Sequence, residues 1–185
     1  GETRDLETAQ MAIEASLTGH FVLSTIHTND AASAPNRLID MGVQPFLIAS
    51  SLAGVLAQRL IQTLCEHCKE PHVPNETERA PLGVERIPSD ATIFKAVGCP
   101  KCNYKGYDGR TTVSELLLMS DEIRPLILDK AAASAVKKKA IQEGMITLRQ
   151  DAILKVFNGI TSLEEVVRVI NDEGDEEFEH LNPEV

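Results

Sequence analysis

The sequence predicts a mixed α/β fold that carries a four-cysteine metal unit and closes in a helical C-terminal region. Three observations predict it. A short apolar run rich in β-formers, Phe21–Ile26, follows a helical pattern and reads as a strand buried on both faces, as in a parallel sheet. Cys65-Glu-His-Cys68 and Cys99-Pro-Lys-Cys102 form two close pairs with 30 residues between them. Beyond Met119, helix start and stop signals recur to about residue 170.

Taken in order, Leu6, Ala9, Ile13 and Leu17 recur at helical spacing over Asp5–Leu17, and Gly19 supplies the stop. The strand at 21–26 delivers His27-Thr-Asn-Asp30 to its C-terminal end, where open α/β sheets bind ligands. A second helix starts near Pro35, runs to Met41 and stops at Gly42. Pro45 opens a longer helix whose buried side is Phe46, Ile48, Leu52, Val55, Leu56 and Leu60, with Cys65 immediately after it. Residues 69–90 hold Pro71, Pro74, Pro81 and Pro88 and read as loop. Thr111–Met119 reads as a returning strand. Helices follow over Ala131–Glu143, from the capping box Thr147-Leu-Arg-Gln150 to Gly159, and from Ser162-Leu-Glu-Glu165 onward.

At 43% hydrophobic and 25% charged residues the composition is that of a soluble globular protein. No apolar run is long enough to span a bilayer. The chain opens at Gly1 without an initiator Met or a signal-peptide pattern, and is expected to be a segment of a longer protein. Acids outnumber bases by 28 to 18, but seven of those acids fall in Asp172–Val185. That run reads as a solvated, disordered tail, and the body is close to neutral. A near-neutral body without a basic stripe, with 4% aromatic residues and no Trp, argues against nucleic acid as a partner.

The two cysteine pairs point to metal. A two-residue spacing lets a tight turn aim both sulfurs at one point, and two such knuckles complete a tetrahedral shell of Cys65, Cys68, Cys99 and Cys102 for structural Zn²⁺. Disulfides would suit an exported protein, yet no export signal is visible. A redox Cys-x-x-Cys needs no second copy. His67 lies inside the first knuckle and is expected to be exposed, since four sulfurs already fill the shell.

Five motifs then stand in order: Gly1-Glu-Thr-Arg-Asp-Leu-Glu-Thr8, Ala15-Ser-Leu-Thr-Gly-His20, Ser24-Thr-Ile-His-Thr-Asn29, Ala57-Gln-Arg-Leu60 and the cysteine pairs. Together they resemble the C-terminal part of the type II secretion and type IV pilus assembly ATPases, hexameric motors of the secretion ATPase superfamily. The resemblance runs from Gly1 to about Ile170. The cysteines favour the secretion and assembly branch over the retraction motors. It implies the later half of a RecA-like P-loop core over 1–64, a Cys₄ zinc insert at 65–102, a returning strand and helical region at 103–171, and the acidic tail at 172–185.

The resemblance also implies roles. Gly-Glu-x-Arg-Asp ends the Walker B strand, so Glu2 would orient the attacking water beside ATP and Mg²⁺. His27 and His20 fall in the family's His box, which senses the γ-phosphate, and His27 is the stronger candidate because it directly follows the strand. Arg4, Arg59 and Arg110 are candidates for phosphate, adenine or neighbouring-subunit contacts. The implied parent is a cytoplasmic homo-hexamer, peripheral at the inner membrane through a platform protein, that powers secretion or pilus assembly. Two positions depart from the family pattern: Thr3 stands where an apolar residue is expected, and Pro35 where helix is usual. No Gly-x-x-x-x-Gly-Lys-Ser/Thr occurs, so this chain by itself is expected to be inactive. The rival reading is a zinc-stabilised protein-interaction module with no catalytic role.

Overall fold

The computed structural model describes residues 1–75, 78 and 91–170. Its elements are α1 (Leu6–Leu17), α2 (Ala34–Asp40), α3 (Pro45–Ser51), β1 (Gly54–Leu64), β2 (Glu70–His72), β3 (Ile93–Lys95), a 3₁₀ turn (Pro100–Cys102), β4 (Tyr107–Leu118), α4 (Ile123–Leu128), α5 (Ala133–Gln142), α6 (Leu148–Phe157) and α7 (Leu163–Ile170). No helix among the described residues is long and apolar enough to cross a membrane. The fold is mixed α/β, as the sequence predicts.

α1 starts where its chemistry says it should. Asp5 accepts a hydrogen bond from Thr8 N at 2.9 Å, satisfying one of the helix's orphan donors, and Gly19 ends the segment at φ +95°. Pro35 sits in the first turn of α2, where its missing N–H costs nothing, so it does not break the helix.

Three expectations fail. Phe21–Ile26 is extended but is not a strand buried on both faces. Only Thr25 pairs, by one parallel bridge to Glu2, and Phe21 and Leu23 are 83% and 78% exposed. Burial on both faces needs flanking neighbours, and among the described residues only Gly1–Thr3 runs beside this segment. The helix from Pro45 is also shorter than predicted. It ends at Ser51, Leu52 is already extended, and Gly54–Leu64 is β1, with Phe46, Leu56 and Leu60 exposed. The pairing with β4 decides the matter. Met119 N bonds to Ala53 O at one end and Cys65 N to Gly106 O at the other, so the two strands are antiparallel. Gly54 permits the close approach, since a Cβ there would stand 2.9 Å from Leu117 O. The 69–90 stretch is likewise not all loop, because β2 pairs antiparallel with β3. Its Pro-rich interior and the acidic tail lie outside the described residues.

Packing divides the chain into two units, each drawing on two stretches of sequence. The first comprises residues 1–58 and 114–147. Its core joins Ala9, Ala31, Ala32, Val43 and Ile48 to Leu117, Ile123, Ile127, Val136 and Ala140. The second comprises 59–113 and 148–185, with Ile61, Leu64, Ile93, Val113, Leu148, Ile153, Val156, Val166 and Ile170 buried. In it α6 packs on α7, and β3 on both.

Candidate functional site

The opening residues and the segment after α1 are tied together by backbone. Thr3 N donates to Thr25 O at 2.7 Å, Thr25 N to Gly1 O at 3.2 Å, and Ser24 Oγ to Gly1 O at 2.7 Å. Thr3 is buried with its hydroxyl 2.8 Å from Ser24 Oγ, which explains why a polar residue is tolerated where an apolar one is expected. In extended chain, side chains two residues apart share a face. Because Glu2 pairs with Thr25, Glu2 and Arg4 on one segment meet Thr25 and His27 on the other.

The result is a compact charged constellation. Arg4 donates to Glu2 Oε2 at 2.5 Å, and His27 Nε2 lies 2.8 Å from Oε1. The second contact has ion-pair distance without hydrogen-bond alignment, so Oε1 is a buried carboxylate oxygen with no hydrogen bond. The Arg4 hydrogen bond, reinforced by the Arg4 and His27 charges, outweighs the cost of partial burial and holds the Glu2 carboxyl below its ordinary pKa. An ionised carboxylate can orient a water or a cation, and is too weak a base to strip a proton from water unaided. His27 is 90% exposed, with Nε2 of its imidazole against that carboxylate.

The other sequence-predicted residues fall elsewhere. His20 Nδ1 lies 3.2 Å from Ala15 O and from Thr18 Oγ1, bonded to the end of its own helix. Arg59, on β1, and Arg110, on β4, belong to the second unit, where the Arg110 charge helps to lower the Glu165 pKa.

Of three charged residues around the His27 loop, sequence reasoning placed Asp30 in the polar cluster after the extended segment and missed Glu115 and Lys137. Glu115 is 1% exposed, on the inward face of β4 with Val113 and Leu117, and its Oε1 accepts from Ala31 N at 2.9 Å. Lys137 Nζ, equally hidden, lies 3.5 Å from Asp30 Oδ2. The signal was periodicity. Glu115 alternates with apolar strand residues, and Lys137 stands one turn before Ala140 and Ile141 on the buried stripe of α5.

The four cysteines do converge. All four Sγ atoms lie within 4.8 Å of one another, with Cys65–Cys99 at 4.0 Å, Cys68–Cys102 at 3.8 Å and Cys99–Cys102 at 3.9 Å, and none is in a disulfide. Backbone N–H groups of Cys99 and Gly106 point at Cys102 Sγ. These hydrogen bonds hold the Cys102 thiol down to about 6, while burial pushes Cys68 up to about 12. Four thiolates this close repel one another, and a divalent cation supplies the missing charge, so the group can hold a metal ion. His67 is exposed as expected, with Lys101 Nζ 3.4 Å from its ring.

A family model described as Type II/IV secretion system protein matches residues 1–168. The Type II secretion system ATPase E of Vibrio cholerae is 52% identical over 172 residues, covering 93% of this chain and 34% of that relative. The Type IV pilus assembly ATPase PilB of Thermus thermophilus is 48% identical, covering 90% of this chain and 19% of its own length. The ATPase DotB of Legionella pneumophila superposes with a TM-score of 0.61 at 22% identity, over 94% of this chain and 38% of that one, which shows a shared fold. The chain spans about a third of the length of the type II secretion relatives it matches.

Proposed function

The chain belongs to the Type II/IV secretion system protein family, and on that premise we propose that it is the C-terminal part of a cytoplasmic hexameric ATPase that drives protein secretion or pilus assembly. The observation that carries this reading is the pairing of Glu2 with His27 across adjacent extended segments, one carboxylate oxygen buried and without a hydrogen bond. A binding module has no use for such a pair.

In this reading residues 1–64 are the later part of a RecA-like core, and the phosphate cradle lies in polypeptide outside this chain. ATP with Mg²⁺ supplies the phosphoryl group and the metal that neutralises its charge. Glu2 orients the attacking water. Arg4 keeps Glu2 ionised throughout. His27, exposed beside it, donates to a phosphate oxygen and so reports whether the terminal phosphate is present. His20, Arg59 and Arg110 are kept as secondary nucleotide or subunit contacts. Without the cradle the 185 residues alone are inactive.

The metal is zinc, in a structural role over 65–102. A tetrahedron of sulfurs about 2.3 Å from Zn²⁺ has edges of about 3.8 Å; three of the six sulfur separations are 3.8 to 4.0 Å and all are within 4.8 Å, which supports that fit. Four protein ligands leave no position for a reacting water. The partners are five further copies of the parent and an inner-membrane platform protein, reached from the cytoplasmic face.

The test is phosphate release by the full-length parent. Glu2→Gln removes the charge that holds the water and is expected to slow release by about 100-fold or more, with ATP still bound. Activity within threefold of the parent in Glu2→Gln and in His27→Ala would overturn the assignment.

A further inference from the structure

His27 is almost wholly exposed, and its side-chain contact is the 2.8 Å approach of its ring to Glu2, which leaves the backbone that carries it to be fixed from elsewhere. The loop that follows fixes it. Thr28 Oγ1 donates to Asp30 O at 2.9 Å, and Ser33 N donates to Asp30 Oδ1 at 2.9 Å, closing the loop on itself. Ala31 and Ala32 are fully buried in the first unit's core. Two charged groups from distant sequence then grip it: the Glu115 carboxylate on Ala31 N, and the Lys137 ammonium 3.5 Å from Asp30 Oδ2. The Lys137 side chain is 4% exposed and that of Asp30 16%. Burying an ammonium is costly, and an apolar side chain of similar volume would fill this place more cheaply. What an apolar side chain cannot do is hold Asp30 by charge, and with it the loop that starts at His27.

We propose that Lys137 is a positioning residue: through Asp30 it clamps the 28–33 loop so that the His27 imidazole stands over Glu2. The inference rests on the ATPase reading of that pair, and extends it to a residue 110 positions away in sequence. Lys137, its side chain 4% exposed, acts through Asp30. Its effect falls on how often His27 occupies the productive place, and therefore on turnover rather than on ATP affinity.

The experiment uses the full-length parent with Lys137→Met, Lys137→Arg, Asp30→Asn and the double variant Lys137→Met/Asp30→Asn. Lys137→Met is expected to lower kcat about tenfold with KM for ATP changed less than twofold, and to speed amide exchange over 28–33. Lys137→Arg should recover kcat to within about threefold. The double variant should be no slower than the worse single one, because both changes break one clamp. An unchanged kcat in Lys137→Met, or effects that multiply in the double variant, overturn the proposal. If Lys137→Met does not fold, Asp30→Asn carries the same kcat, KM and exchange measurements. If Glu2→Gln proves fully active, the ATPase reading of the site fails on its own account, and unaltered exchange over 28–33 is then what overturns the clamp.

Discussion

Arg4 sets the charge of Glu2. Its guanidinium hydrogen bond is the largest influence holding that carboxyl below the usual range, so Arg4→Ala lets the Glu2 pKa rise. The acid limb of the parent's phosphate-release profile is then expected to move to higher pH, with a loss at pH 7.5 of at most about fivefold because Arg4 is largely exposed. A profile that does not move would show that Glu2 is not the group titrating there. Glu2 and His27 were legible in the sequence because two motifs name them, and Asp30 fell in the same polar cluster as His27, but the parallel bridge that brings Arg4 and His27 onto Glu2 was not. Glu115 and Lys137 were not legible. Lys137 heads a run of three lysines, which reads as a solvated face, and only the burial of one helix stripe separates it from its neighbours.

Among the elements, β1 is the instructive case. Ile48, Leu52, Val55, Leu56 and Leu60 fit helical spacing, yet only Ile48 is in the helix, and Val55, Leu56 and Leu60 serve as a strand once β4 lies alongside. Periodicity cannot arbitrate between the two when the partner is some 50 residues away in sequence. α7 shows the converse. Ser162 caps it as expected, accepting from Glu165 N at 3.2 Å, but Glu165 does not reach back to close the box. Instead its buried Oε1 accepts from Gln62 N at 2.8 Å, and Arg168 pairs with both oxygens. Burial raises the Glu165 pKa, but the Arg168 pair and the Gln62 N–H outweigh it, so the net shift is downward. The folded state therefore binds that proton more weakly than the unfolded one. The stabilisation is present above the ordinary glutamate pKa and is lost as pH falls through the depressed folded value. Glu165→Gln is expected to cost about 1–2 kcal/mol at pH 7 and much less at pH 3, measured by urea unfolding. A cost independent of pH would assign Glu165 a packing role only.

For the whole molecule, the metal is the element most open to direct measurement. The purified protein is expected to hold close to one zinc per chain, to fall well below that in Cys99→Ser, and to lose more than about 5 °C in Tm on chelation. A chain that melts at the same temperature with no metal would remove the structural role. The cysteine spacing made this unit readable before any coordinates, whereas the two packing units, each assembled from separated stretches, have no signature in local sequence. Within the second unit β2 and β3 form a clasp. Strand Glu70–His72 lies in register against Ile93–Lys95, so the polypeptide departs and returns at neighbouring points, and the length in between adds little closure entropy. This is the place in the protein where a cassette of different size or charge can be spliced in, by evolution or by an engineer seeking a reporter site, while the thiol spacing stays put.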